Sequence, residues 1–231
     1  MGRRHKLVCF GLLSLLFAGI VIKRRGSDVI DSSVDTGEMQ SSLPSFPRGR
    51  PSSISADIAE KKQILFEPWF MTEVTGTVGS GKAVIDVDAP PKVVWNQLLD
   101  FPSYPKKVNM CSKVEVYKRQ TEGKKERIYA KFESPVLPGY KFTYHCDHTL
   151  EPGKNSMTWT LDWDKKNDMD DVQGHWHVEP HPSSKDRARV FYEVKLKVPK
   201  YIPKIVIDVL TKKAIGDAVN WVKKYSELES S

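Results

Sequence analysis

The chain has 231 residues, 39% of them hydrophobic and 10% aromatic, enough to bury one good core and too few for a second full domain once the ends are set aside. Its formal net charge is +7, but residues 1–56 hold 8 Lys and Arg against 4 Asp and Glu, which leaves 28 against 25 in the rest, a mild +3. So weak and interspersed an excess excludes a nucleic-acid footprint, which needs clustered charge on one face, and three cysteines, Cys9, Cys111 and Cys146, exclude a disulfide framework.

Residues 7–22, LVCFGLLSLLFAGIVI, carry no charge and are flanked by Arg3, Arg4 and Lys6 on one side and Lys23, Arg24 and Arg25 on the other. A helix of this length is roughly 24 Å long, a little short of a hydrocarbon core of roughly 30 Å, and the flanking cations can reach across the difference. No small-x-small cleavage site precedes the basic cluster, so residues 1–25 read as an uncleaved membrane anchor, with a secretory signal as the alternative. Equal basic flanks leave the orientation open. The anchor implies association with a membrane through the N-terminus by the endomembrane or secretory route, with plastid or mitochondrion as alternatives.

Residues 26–56 are Ser, Asp, Gly, Pro and Arg with few large apolar side chains, the composition of a disordered tether. A single domain then occupies residues 57–231. It opens with a short helical pattern ended by Pro68, after which Trp69 and Phe70 are expected on the domain's edge. GTVGSGK, residues 76–82, has the spacing of a phosphate-binding loop up to its lysine. However, Ala83 stands where a magnesium-binding hydroxyl is needed and a strand follows where a helix is required, so the stretch reads as a glycine-rich turn or bulge.

Period-two alternation marks seven strands, at about 83–88, 112–118, 126–133, 141–150, 156–163, 173–179 and 189–198. Turn chemistry separates them at Glu122-Gly123, Pro138-Gly139, Pro152-Gly153 and Pro182-Ser183, which predicts an antiparallel sheet. Helices fall only at its two ends: Pro91 opens a short one running to Asp100, and Pro203 opens a long one running to about residue 228. The long helix carries two apolar stripes, one of Ile202, Ile205, Val206, Val209 and Leu210, the other of Ala214, Ile215, Ala218, Trp221, Val222 and Tyr225. They are turned more than a quarter circle apart, which predicts a kink or a separate first helix near Lys212, Lys213 and Gly216. The first stripe is a candidate movable flap at a cavity mouth, steered to anionic lipid by Lys200, Lys204, Lys212 and Lys213; burial of both stripes is the plainer reading.

Candidate chemistry is thin. His175 and His177 share a strand face, but Trp176 and Val178 claim the opposite face as buried, so the pair is expected to face solvent, with no partners at metal-ligand spacing. Asp162, Asp164, Asp168, Asp170 and Asp171 read as a solvated turn. No nucleophile elbow, paired carboxylates or Cys-His motif appears, so no catalytic residue, metal or cofactor is assigned. Cys111 and Cys146, a strand apart, are expected to stay unbridged. The sheet's inferred inner face is rich in aromatics, and Trp159, Trp176 and Tyr192 suit the wall of an apolar ligand cavity.

The run Ala89, Pro90, Val94, Trp95, Leu98, Asp100, Phe101, Tyr104 and Pro105 resembles the signature of the START-like superfamily, in its polyketide cyclase and coenzyme Q-binding branch. The stretch SMTWTLDWDKKNDMDDVQGHWHVEPH is similar to the plant and algal relatives of that branch. The resemblance implies an α+β helix-grip fold, an antiparallel sheet of seven strands curved around a long C-terminal helix with an apolar cavity. It also implies a cavity for a lipid, isoprenoid quinone, sterol or aromatic polyketide; together with the N-terminal anchor and the weak charge excess, the reading is a monomer that binds or transfers a lipid, isoprenoid quinone or sterol, tethered to a membrane through residues 7–22 and taking no nucleic acid. The residues expected to line the ligand are Phe142, Tyr144, His148, Met157, Trp159, Leu161, Trp176, Val178, Tyr192, Val194, Ile205 and Val209. The alternative is an aromatase/cyclase-type enzyme acting on a polyketide-like or isoprenoid substrate, with Tyr144, His148 or Tyr192 as acid or base; an adaptor with a filled core is a third reading.

Overall fold

The computed structural model describes residues 40–51, 69–73 and 76–231, without the side chains of 69–77 and 208–216. Among the described residues the alternating segments form eight strands: β1 (Trp69–Glu73), β2 (Gly76–Val87), β3 (Lys113–Glu122), β4 (Lys125–Leu137), β5 (Tyr140–Glu151), β6 (Ser156–Leu161), β7 (Asp171–His181) and β8 (Ser184–Pro199). Between β2 and β3 lie α1 (Pro91–Leu99), a 3-10 turn (Phe101–Ser103) and α2 (Tyr104–Lys107), and α3 (Lys204–Ser230) follows β8. All strands belong to one antiparallel sheet in the order β1-β2-β8-β7-β6-β5-β4-β3. The chain therefore crosses from one side of the sheet to the other after β2, carrying α1 and α2 with it, and returns strand by strand to β8.

The seven expected strands are all present, most of them longer than alternation alone marks, and β1 adds an eighth at the edge where Trp69 and Phe70 were expected. GTVGSGK is not a turn but the first part of β2, paired with β1 on one side and β8 on the other. Glycine lowers strand propensity, but a hydrogen-bonded ladder on both sides outweighs that cost. The hairpin turns need a left-handed residue, and Gly123 and Gly139 supply it with φ of 63° and 82°. Register shifts at Val116/Lys118 and Pro135/Leu137 leave Tyr117 and Val136 unpaired in the ladder and add bend where the sheet must curve.

Two apolar clusters fill the concave side. One joins Ala83, Ile85 and Val87 of β2 and Val178 and Val190 to Val94 and Leu98 of α1 and Val219, Trp221 and Val222 of α3. The other centres on Phe101, Ile128, Ala130, Leu161 and Val172. α3 is one helix from Lys204 to Ser230, so a separate first helix is not formed. A helix of 27 residues is long enough for each stripe to find its own neighbour: Val206 is fully buried against Phe142, while Val219 and Val222 pack in the first cluster. Gly216 within it costs only about 1 kcal/mol.

The convex side corrects two expectations. His175 and His177 do not face solvent; they are buried. Residues 40–51, placed in the tether by their composition, lie across them: Phe46 stacks on His175 at 6.2 Å, Arg48 pairs with Glu151 at 2.8 Å, and Arg50 sits over the Phe191 ring at 5.5 Å. The aspartate cluster is likewise only partly solvated. Asp164 and Asp170 are exposed, but Asp162 accepts from the Tyr117 hydroxyl at 2.5 Å and Asp168 accepts from the Thr143 amide at 2.7 Å. Asp171, 1% exposed, accepts from the Ser41 hydroxyl at 2.9 Å and the Ser42 and Leu43 amides at 2.7 and 3.1 Å. Short acidic side chains here satisfy backbone N–H groups that no strand reaches. Cys111 and Cys146 are free. Residues 7–22, and the helical pattern before Pro68, lie outside the described residues; among those described, no helix is long and apolar enough to cross a membrane.

Candidate functional site

Between the concave face of the sheet and the helices is a cavity of ≈ 250 Å³. Its walls come from β5 (Phe142, Tyr144, Cys146, His148), β6 (Met157, Trp159), β7 (Val172, Trp176) and β8 (Tyr192, Val194, Leu196). Alternate residues of these strands point the same way, so the inward series is what a pleated strand must present. The remaining boundary is built by Phe132, Ser134 and Val136 of β4, by Met169, by Tyr104 and the turn Val108 to Cys111, and by Asp217, Ala218 and Trp221 of α3.

The aromatic walls are interlocked. Trp159 stacks with Tyr192 at 6.1 Å, Trp176 tilts against Tyr192 at 4.4 Å, and Phe132 stacks on Tyr144 at 5.3 Å. Trp159 lies flat over Gly174: a Cβ there would fall 1.9 Å from the indole, so only glycine leaves room for this wall. Phe101 and Tyr104, 5.2 Å apart, close the base, and the Tyr104 hydroxyl donates to the Leu98 carbonyl at 2.5 Å.

Five polar groups, on Ser134, Tyr144, Cys146, His148 and Tyr192, interrupt the apolar lining inside. The Nδ1–H of His148 donates to the Ile128 carbonyl at 3.1 Å, and burial pulls the imidazole pKa down to about 4, against the opposing pull of that bond. Tyr144 and Ser134 share a hydroxyl contact of 3.4 Å. Burial pushes the phenols of Tyr144 and Tyr192 above their ordinary value, pushes the Cys146 thiol well up, and raises Cys111, at the edge, to about 11. At neutral pH these groups are all uncharged. The interior can solvate an apolar body and offer it a few hydrogen bonds, but it holds no ionised acid, base or nucleophile among these residues.

Of the residues expected to line the ligand, Phe142, Tyr144, His148, Met157, Trp159, Trp176, Tyr192 and Val194 are brought together around the cavity. Leu161 and Val178 are core, in the two apolar clusters. Ile205 does not reach the cavity and is 64% exposed, because Val206 takes the inward position beside it. The side chain of Val209 lies outside the described residues. Sequence reasoning missed Tyr104, the turn at Val108 to Cys111, Met169 and Trp221. The turn has no period to betray it, and Tyr104 was credited only as part of a structural signature. Among the described residues, no cluster of three or more His, Cys, Asp or Glu is placed to hold an ion.

A curved antiparallel sheet closed by a long C-terminal helix over an apolar cavity defines a helix-grip domain of the START type. Residues 87–219 match the family described as polyketide cyclase / dehydrase and lipid transport, and the chain belongs to that family. A comparison with curated proteins gives no match. Among solved structures, the Zhui aromatase/cyclase from a Streptomyces species superposes with a TM-score of 0.54 at 14% identity, covering 67% of this chain and 96% of that one. A START superfamily protein from Mycobacterium smegmatis gives 0.53 at 12% identity, over 65% and 98% of the two chains. A STAR-related lipid transfer protein from Xanthomonas axonopodis gives 0.51 at 12%, over 69% and 98%. At such identities the likeness is one of fold.

Proposed function

We propose that this domain binds an apolar small molecule, of the lipid, isoprenoid quinone or sterol class, in the cavity, and carries it as a monomer tethered to a membrane through residues 7–22. The observation that carries the reading is the cavity itself: ≈ 250 Å³, walled by interlocked aromatics, with interior polar groups held neutral. Burial of apolar surface supplies the affinity at about 25 cal/mol per Å². The few polar groups then set orientation.

The enzymatic reading draws support from the same cavity, because Tyr144, His148 and Tyr192 share it. An imidazole titrating near 4, with one nitrogen committed to a backbone carbonyl, is a weak base and is not an acid at pH 7. His148→Ala separates the readings: it abolishes turnover of a bound polyketide-like substrate in a cyclase and only perturbs affinity in a carrier.

The decisive experiment is organic extraction and mass spectrometry of the full chain purified from its membrane, followed by titration with a quinone, a sterol and a phospholipid. A co-purifying apolar compound is expected. If none is found and none of the three added compounds binds, the proposal falls. Tethering is tested separately: the full chain stays in the pellet after alkaline carbonate washing, whereas recovery in the soluble fraction trimmed near Arg25 indicates a cleaved targeting segment instead.

A further inference from the structure

Against the outer side of α2 and α3 lies a second hollow, of ≈ 270 Å³, which shares Val108, Asn109, Asp217 and Trp221 with the apolar cavity. The two spaces thus adjoin along one short threshold. That threshold is strained: Met110, in the turn after Asn109, holds φ at 60°, the left-handed region that a methionine rarely adopts. Such outliers persist where surrounding structure over-determines them, and they gather at ligand clamps.

The hollow's chemistry is opposite to the cavity's. Lys106, Lys107 and Lys224 line it, with the amides of Asn109 and Asn220. Lys107 is already engaged, donating to the Gln97 side-chain carbonyl at 2.7 Å and the Asp100 carboxylate at 2.8 Å. Lys106 and Lys224 have no carboxylate partner among the described residues; Lys224 merely rests over the Tyr225 ring at 5.2 Å. The Tyr225 hydroxyl donates to the Lys106 carbonyl at 3.3 Å, satisfying an acceptor that would otherwise face the hollow. Against these two cations stands one carboxylate, Asp217, so a single positive charge is in excess.

We propose that this hollow receives the anionic head, of the phosphate monoester class, of an amphiphile whose apolar tail fills the cavity. The proposal rests on the cavity reading above and adds the head-group class to it. An ammonium on a flexible stem pairs with phosphate as a point charge, and two from different elements, α2 and α3, can converge on one head. Asn109 and Asn220 supply N–H donors to its remaining oxygens. The tail then passes the threshold between Val108 and Trp221 into the aromatic-walled interior, where an unpaired head-group charge would be costly to bury.

The test is titration of the full chain, held in amphipol, with decyl phosphate, decanol and inorganic phosphate, read by fluorescence of the cavity tryptophans and by competition. The native protein is expected to bind decyl phosphate at least ten-fold more tightly than decanol, with the preference shrinking as salt is raised. The double variant Lys106→Glu/Lys224→Glu is expected to lose that preference while decanol stays within two-fold. Equal binding of decyl phosphate and decanol, or a double variant that weakens both alike, overturns the head-group site and leaves the apolar cavity standing. Failure of both to bind overturns the two together. Inorganic phosphate binding as tightly as decyl phosphate overturns the amphiphile, because the site would then be one for the free anion.

Discussion

β7 is buried on both faces, and for different reasons. On the concave side Val172, Trp176 and Val178 are covered by helices and by the facing strands, the ordinary fate of an apolar row. On the convex side Asp171, Gln173, His175 and His177 are just as hidden, yet every one of them is polar. They are covered by residues 40–51, a segment with no regular structure, and each has a specific polar neighbour: Ser41 to Leu43 for Asp171, Thr160 for Gln173, Ser156 for His175 and Glu179 for His177. The concave face is thus held by area and shape, and the convex face by specific hydrogen bonds, complete at Asp171 but leaving the buried Nδ1 atoms of His175 and His177 without a hydrogen-bond partner among the described residues. Damage to the first should propagate into the cavity, while damage to the second should release the overlying segment and leave the cavity alone.

The largest effect is expected on the concave face at Gly174. Gly174→Val puts a Cβ 1.9 Å from the Trp159 indole, which cannot slide because Tyr192 and Trp176 stand behind it at 6.1 and 6.5 Å. Overpacking of this kind costs ~3 kcal/mol or more. The melting temperature should fall by roughly 6–12 °C in a chain of this size, and the binding of any apolar ligand should weaken with it. A variant that melts normally, with unchanged tryptophan fluorescence, would show that the indole does not form this wall.

Acid titration compares the faces through their histidines. Burial depresses His148 on the concave side to about 4 and also lowers His177 on the convex side, where the Glu179 carboxylate opposes the shift. Both are neutral in the folded protein and protonate more easily when it unfolds. Their contribution is therefore complete above the ordinary histidine value near 6.5 and is lost as pH falls from there through the folded pKa. For His148 the window runs from about 6.5 to about 4, with a loss on the order of 2–3 kcal/mol. Urea denaturation at pH 7.5 and 4.5 should show most of that slope removed in His148→Gln and a smaller part in His177→Gln. Equal slopes in all three proteins would mean that neither histidine is buried neutral.

The same contrast explains what could be read from the chain alone. The concave face was legible because strands repeat every two residues and the Ala-Pro-Pro to Phe-x-x-Tyr-Pro signature marks where sheet hands over to helix. That placed eight of twelve expected lining residues around the cavity. Leu161 and Val178 share the correct parity but sit where the sheet meets its helices, and parity cannot tell wall from core. Ile205 lies outside the cavity lining because two adjacent apolar residues, Ile205 and Val206, compete for one inward direction, and Val206 takes it against Phe142. The burial of His175 and His177 was illegible for a different reason: alternation reports the chemistry of a face, and says nothing of what a segment more than a hundred residues earlier lays upon it. Phe46 was the one large aromatic in that polar stretch, and it is the residue that stacks on His175.

The smallest effects are expected where the convex face is held, and they should be local. Asp171 takes five contacts from Ser41, Ser42 and Leu43 at 2.7 to 3.1 Å. Charge-assisted bonds of this kind are each worth about 1.5–3 kcal/mol when made, but an exposed segment returns part of that to water on release. Asp171→Ala should therefore weaken closure of residues 40–51 by about 2 kcal/mol, roughly a thirty-fold rise in the open population. Hydrogen exchange at residues 42–46 and tryptic cleavage after Arg48 would both report it. Phe46→Ala removes the stack on His175 and the seat of Lys195, which lies 4.8 Å over the ring, and should cost about 1 kcal/mol, roughly five-fold. Because the convex contacts do not touch the cavity walls, ligand affinity should stay within two-fold in both variants. If instead Asp171→Ala abolished ligand binding while exchange at residues 42–46 was unchanged, the two faces of β7 would be coupled through the strand itself, and the separation drawn between them would fail.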